Sequence, residues 1–179
     1  MKNMSAAGVR LAAGVIVRPD YGVKVLAPRF RFDFTARRNG KVIWRESACN
    51  LVVNAGLDSL LSVYFDAATQ ITTWYLGLKG TGSAAAGDTL ASHGGWSEIA
   101  DYTGDRQAIT FGSASGGSLS GSAVTFAIDA TVTIAGALIA SVDSGTSGLL
   151  YSAGDFAAPR SLANGDELDV TPTVTMAAA

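Results

Sequence analysis

The sequence predicts a mainly β protein: a β-sandwich, jelly-roll-like, with one short amphipathic helix and an extended basic N-terminal arm. Charged residues make up only 16% of the 179 residues, and the 21 glycines accompany many Thr and Val, a composition typical of strands joined by glycine turns. Short alternating segments recur between turn residues, which indicates a sandwich. We divide the chain into an arm over residues 1–28 and a β-sandwich body over residues 29–179, one domain with an appendage.

The first predicted elements are a short strand and a hairpin. Residues 11–17 are apolar enough for a strand that ends before Pro19. In residues 29–35 three Phe residues alternate with Arg and Asp, so the rings share one face. Asn39-Gly40 favours a type I′ turn, and residues 41–46 return as the partner strand.

One amphipathic helix follows this hairpin. Asn54 is placed to cap its start, and the apolar residues recur at spacings of three and four. We therefore expect the helix to lie across one face or end of the sheet. The apolar positions are Leu57, Leu60, Leu61, Tyr64 and Phe65.

A long loop organises the middle of the chain. Residues 74–78 form an apolar strand, and a Gly/Ala/Ser loop with a helical turn at residues 88–93 follows, with Asp88 as its cap. Because large aromatic side chains dominate cores and interfaces, we expect Trp74 and Trp96 to pin the two ends of this loop.

The remaining residues predict further strands. Residues 112–121 are of low complexity and are flexible or hairpin-like, and residues 123–140 are interpreted as a two-stranded hairpin with a turn or bulge near Asp129 and Gly136. Pro172 places the last strand at an edge or at a bulge, because proline cannot donate a ladder hydrogen bond. The other strands are predicted at residues 106–111, 149–151 and 167–176.

Charge is distributed unevenly along the chain. The first 50 residues carry ten Lys and Arg but three acids, whereas the rest carries three basic residues and twelve acids. The basic arm meets either an acidic surface or nucleic acid, or it pairs with the acidic remainder within or between subunits, and both interpretations stay open. The candidate partner-binding residues are Arg10, Arg18, Lys24, Arg29, Arg31, Arg37 and Arg38, together with Trp74 and Trp96.

Other classes of protein receive little support. No apolar run is long enough for a membrane helix, the N-terminus is interpreted as mature sequence because Arg10 interrupts its apolar stretch, and the lone Cys49 excludes an intrachain disulfide. We expect no membrane partner and folding in a reducing compartment.

No catalytic, cofactor or metal site is predicted. His93, the one histidine, lacks the context of a catalytic triad, and the usual zinc ligand sets cannot be assembled. The acids at residues 101 and 105 and at residues 166–169 are interpreted as turn residues rather than calcium ligands. Trp74, Tyr75 and Trp96 fit core or interface anchors better than a sugar platform, and the Phe rings of residues 30–34 fit the core better than nucleic acid.

Several segments together resemble a group of small virion structural proteins of tailed bacteriophages. The resemblance covers roughly residues 50–176; its principal segments are NLVVNAGL at 50–57, WYLGL at 74–78, AGDTLASH at 86–93 and NGDEL at 164–168. It implies a non-enzymatic virion component, assembled in the host cytoplasm. Within the group we favour a capsid decoration or cement protein, a homotrimer that stabilises the head through the major capsid protein, with the arm reaching neighbouring shell subunits. The alternative is a tail, fibre, collar or baseplate protein, or a surface carbohydrate-binding module.

Overall fold

The computed structural model describes residues 28–176. The strand predicted at residues 11–17, almost all of the predicted arm, and Arg10, Arg18 and Lys24 lie outside the described residues. Within that range the mainly β, sandwich-like prediction is confirmed, because the strands form one curled antiparallel sheet accompanied by a short helix. No helix of the described part has the length and apolar character needed to cross a bilayer.

The described residues form ten strands and one helix, and the helix follows the second strand in the chain. The bounds are β1 (Arg29–Arg38), β2 (Lys41–Val52), α1 (Asn54–Phe65), β3 (Trp74–Lys79), β4 (Glu98–Ile99), β5 (Gln107–Ile109), β6 (Ser118–Ser120), β7 (Val124–Ala127), β8 (Val132–Ala140), β9 (Leu150–Leu162) and β10 (Glu167–Thr175).

Strand β2 joins the two halves of the curled sheet. Its first part pairs with β1, and its last residues pair with β9. One half then continues from β1 to β10, β6 and β7, and the other from β9 to β8, β3, β4 and β5. Isolated bridges between Tyr102 and Ile128 and between Phe111 and Gly121 connect the far sides of the two halves. The sheet thereby encloses its main core.

The main core is built on the alternation predicted for β1. Phe30, Phe32 and Phe34 are buried, and the ring of Phe34 packs edge-on against Phe156 with centroids 4.5 Å apart. The hairpin turn is confirmed as well, since Asn39 and Gly40 have φ angles of 50° and 74°, the positive values that a type I′ turn requires.

A second, smaller core lies on the outer face of β8 and β9. The loop of residues 80–97 covers this face and inserts Leu90 and Trp96 against Leu138 and Leu150. A backbone hydrogen bond from Gly80 to Ser97 closes the base of the loop, and one from Asn54 to Ala86 ties the loop to the start of α1. The long loop is therefore an ordered layer of the protein.

Several local predictions are wrong. Residues 88–93 are irregular, with a bend at residues 90–91, instead of a helical turn. The Asp88 carboxylate accepts hydrogen bonds from the Ala85 amide and the Trp96 indole, so it does not cap a helix. Within residues 123–140 two strands form, but β7 pairs with β10 while β8 pairs with β3 and β9. The bulge near Gly136 is confirmed by a shift in register.

Two strand predictions need further correction. Strand β9 extends far beyond the predicted residues 149–151 and includes Pro159; since β2 diverges from β9 after Gly154, this part of β9 is unpaired on that side. Strand β10 is interior rather than at an edge, and Pro172 is accommodated between its pairings with β7 and β6.

The helix is correctly predicted in position but not in packing. Val53 rather than Asn54 is its N-cap residue, without a side-chain cap. Gly56 is the buried residue of α1, and a Cβ at this position would lie 2.4 Å from the Tyr151 carbonyl oxygen. The helix therefore approaches β9 through a glycine contact, and much of its apolar surface faces outward.

Candidate interaction surfaces

The basic residues of β1 are paired within the chain. Arg31 lies 2.7 Å from Asp33, Arg37 forms an ion pair with Asp169, and Arg38 pairs with Asp166. These ion pairs neutralise Arg31, Arg37 and Arg38, three of the residues that the sequence predicts to bind a partner. Arg29 is exposed and takes part in no ion pair among residues 28–176.

The pair between Arg38 and Asp166 is the most extensively hydrogen-bonded of these contacts. Two guanidinium nitrogens of Arg38 donate to the buried carboxylate at 2.7 Å each, and the amide of Ala163 donates at 2.8 Å. These hydrogen bonds, chiefly those from Arg38, lower the pKa of Asp166 below its ordinary value. The contact fixes the β9–β10 turn against the end of β1, which is a structural role.

Trp74 and Trp96, the two tryptophans predicted to bind a partner, pack against different cores. Trp96 is buried, stacks on His93 with centroids 4.2 Å apart, and holds the long loop on the second core. Trp74 is half-buried and packs edge-on against Tyr151 at 5.1 Å. Tyr75 is also half-buried, so these three residues do not form one continuous platform for a sugar.

Two buried cations missing from the sequence predictions anchor loops. Lys79 is fully buried, forms an ion pair with Asp155 and donates to the carbonyl oxygens of Gly80 and Gly82. Arg106 binds Glu98 through two hydrogen bonds of 2.6 and 2.7 Å and also donates to the carbonyls of residues 142 and 145. The sequence gave no signal for either anchor, because Asp155 and the carbonyls of residues 142 and 145 belong to segments distant from Lys79 and Arg106 in the chain.

Acidic residues considered as calcium ligands are used differently. Asp166 and Asp169 are bound by arginines, and the described part of the chain contains no cluster of three or more His, Cys, Asp or Glu side chains arranged to hold a metal.

The outer side of α1 exposes an aromatic and aliphatic surface. Leu61, Tyr64 and Phe65 are 55%, 80% and 78% exposed, and the last two rings contact each other edge-on at 5.2 Å. We name these three residues the outer helix patch. Exposed apolar clusters on ordered elements mark interaction sites. The sequence identified these residues as the apolar side of the helix, but that pattern predicts burial against the sheet rather than exposure.

The inner side of the same helix borders an apolar groove. The groove has a volume of about 540 Å³ and is lined by Leu60 of α1 and by Trp74 and Tyr151 of the sheet. Burial raises the pKa of the Tyr151 hydroxyl. Pro28 and Met176 also line the groove, so the described chain begins and ends beside it. This lining can accept apolar groups, and the described residues that form it include no carboxylate, amine or imidazole for acid–base chemistry.

Comparison with known proteins identifies the family. Residues 47–176 match the family model described as podophage GP4 fiber I protein gp80. This range contains the last part of β2 and every later element, including α1, the long loop and most of the groove. A search of curated proteins finds no match to the chain. Because the family match spans most of the sequence, the chain belongs to the podophage GP4 fiber I protein family and is a bacteriophage virion structural protein.

Proposed function

We propose that the chain is a structural component of the fibre of a podophage. The observation that carries this proposal is the family match over residues 47–176. It favours the fibre alternative over the capsid decoration role expected from the sequence. The proposed partners are further copies of this chain and neighbouring fibre or tail proteins, in place of the major capsid protein, and the role is structural rather than enzymatic.

The exposed apolar residues of α1 support a role as a subunit of an assembly. The outer helix patch, Leu61, Tyr64 and Phe65, exposes aromatic and aliphatic side chains on an ordered helix. Burying such side chains against a neighbour contributes about 25 cal/mol per Å² of apolar surface. In an assembled fibre a neighbouring subunit would cover this surface. The isolated chain exposes it because the neighbour is absent.

Electron cryo-microscopy of particles made with and without the gene tests the proposal. We expect particles that lack this chain to have intact heads and to lose fibre density, and labelled antibody to bind wild-type particles at the tail. Mass spectrometry should give far fewer copies than of the major capsid protein. Label distributed over the head, with a copy number comparable to the shell protein, would refute the fibre role.

A further inference from the structure

The groove beside α1 is an open end of the main core. Phe30, Ile139 and Tyr151 line the groove and belong to that core, while Trp74 and Val174 line it and are only partly buried. Core side chains are otherwise packed at the density of an organic crystal. The groove volume of about 540 Å³ is more than three times that of a cavity of about 150 Å³, which holds one benzene molecule. The space therefore suits several apolar side chains.

The chemistry of the lining restricts what can enter this space. None of the described lining residues has a charged side chain, and the polar ones include Ser59, Gln70 and Thr72. A charged group inside the groove would lose its hydration without gaining a partner, which is costly. The occupant is therefore apolar and uncharged over the length that it buries.

One segment outside the described range meets this requirement. Residues 11–17, LAAGVIV, are the longest run without charged or polar side chains within residues 1–27, and we name them the apolar segment. Residues 23–26 lie nearer in sequence but include Lys24. The described chain begins at Pro28, which itself lines the groove. The apolar segment is therefore attached to the body at the groove.

The connection to Pro28 allows the apolar segment to fold back. Residues 18–27 are ten residues and span up to about 35 Å when extended. Because Pro28 is itself in the lining, the connection has only to reverse direction, and Pro19 and Gly22 are residues that favour a turn. We propose that the apolar segment occupies the groove of its own chain and closes this end of the main core.

Charge at the margins supports this placement. Arg10 and Arg18 border the apolar segment. Asp66 is exposed at the C-cap of α1, three residues after Val63 of the groove wall, and residues at this spacing share one side of a helix. Asp66 has no ion-pair partner among residues 28–176. An arginine at the border of the segment can therefore pair with this acid while the apolar side chains are buried.

Effective concentration favours the segment of the same chain over that of another copy. A segment joined by a short flexible linker is present at an effective concentration in the millimolar range, so a second copy at micromolar concentration is about a thousandfold more dilute. The contact lies within one chain and does not depend on the fibre role. It leaves the outer helix patch available to a neighbour.

Chemical cross-linking of the full chain tests the contact directly. With Cys49 replaced by Ser, Val15→Cys and Ser59→Cys place one thiol in the apolar segment and one in the groove wall, and a short bismaleimide should join them within one chain. The matched control pairs Val15→Cys with Lys41→Cys. Lys41 is exposed beside the hairpin turn, about 30 Å along β1 from the groove, so this pair should give no product.

Isotope labelling separates the two sources of the segment. In an equal mixture of isotopically light and heavy chains, each cross-linked pair of peptides should carry a single isotope. Pairs of mixed isotope would show that the segment comes from another copy. A yield no higher than that of the Lys41 control would show that the segment does not occupy the groove. Either result would overturn the proposal.

A dye that binds apolar surfaces gives an independent test on the full chain. A segment that covers the groove in about 90% of molecules weakens a competing ligand about tenfold. Val15→Asp with Ile16→Asp should expel the segment and tighten dye binding by about that factor. Ala6→Asp with Ala7→Asp adds the same charge outside the segment and should bind the dye as wild type does.

Dye that binds elsewhere, as on the outer helix patch, is common to these three proteins and cancels in the comparison. Equal dye affinity in all three would refute the proposal. Circular dichroism confirms that each variant is folded, and the cross-linking experiment decides the question if the aspartate variant fails to fold.

Discussion

Replacing Lys79 by Met tests whether a buried cation holds the long loop on the sheet. The ammonium is fully buried, pairs with Asp155, and donates to the carbonyls of Gly80 and Gly82 at the start of the loop. It also lies 5.3 Å from the centroid of the Trp96 ring. Methionine fills a similar volume but cannot donate a hydrogen bond or balance the carboxylate.

The magnitude follows from what the substitution leaves behind. Breaking a buried ion pair by removing one partner costs about 3–5 kcal/mol. Asp155 is about one-third exposed and its Oδ2 also accepts a hydrogen bond from the Ala84 amide, so part of its charge stays compensated and we expect the lower end, about 3 kcal/mol. With a urea m-value of about 2 kcal/mol/M, the unfolding midpoint falls by about 1.5 M. This is a large fraction of a typical stability of about 5–15 kcal/mol.

Urea denaturation followed by circular dichroism measures the global effect, and amide hydrogen exchange measures the local one. Exchange should accelerate most in residues 80–97, because the loop loses its anchor. Lys41→Met is the matched control, since Lys41 is exposed, and it should change stability by no more than about 0.5 kcal/mol. A loss below about 1 kcal/mol for Lys79→Met, with unchanged loop exchange, would refute the reasoning.

Three further predictions concern the helix and two titrating groups. Gly56→Ala should lower the thermal midpoint despite the better helix propensity of Ala, because its Cβ would lie 2.4 Å from the Tyr151 carbonyl oxygen. Gly87→Ala is the control, since a Cβ at this position meets no atom within 4 Å. An unchanged midpoint in Gly56→Ala would contradict the close approach. The pKa of Asp166 is lowered in the folded state, so its contribution to stability is present above the unfolded pKa of about 3.9 and is lost as the pH falls through the folded value. Urea denaturation at a series of pH values should therefore show a smaller acid-induced loss of unfolding free energy in Asp166→Asn than in the wild type. Equal losses in the two proteins would argue against this assignment. Burial, reinforced by Glu98, raises the pKa of Tyr102 to about 12, so stability should fall as the pH rises from about 10 towards 12. Ultraviolet titration should show late ionisation of Tyr102 beside that of Tyr151, whose pKa is also raised, and Tyr102→Phe should reduce the late component. An unchanged late component in Tyr102→Phe would contradict the assignment.

Local sequence signals predicted the elements that depend on nearby residues. The alternation of Phe30, Phe32 and Phe34 defined the inner face of β1, and Asn39-Gly40 defined its turn. Both signals arise from the geometry of a strand and of a two-residue turn, which need no distant partner. Strand pairing was less predictable, because β7 and β8 are neighbours in sequence but pair in different halves of the sheet.

The sequence predicted the candidate site less well. The cations of β1 could be listed from the sequence, but Asp169 and Asp166, the partners of Arg37 and Arg38, lie more than a hundred residues away. The apolar residues of α1 were identified correctly, yet periodicity could not show that Gly56 faces the sheet while Tyr64 and Phe65 face outward. That orientation depends on the close approach to β9.

The sequence by itself determined the β class, the hairpin, the position of the helix and the resemblance to phage virion proteins, since these depend on composition, period and short motifs. The tertiary structure decided which charges are neutralised and which remain available. It also left the outer helix patch, Leu61, Tyr64 and Phe65, exposed on α1. The physical reason is that burial and ion pairing depend on which distant segments come into contact, and the curling of the sheet determines those contacts.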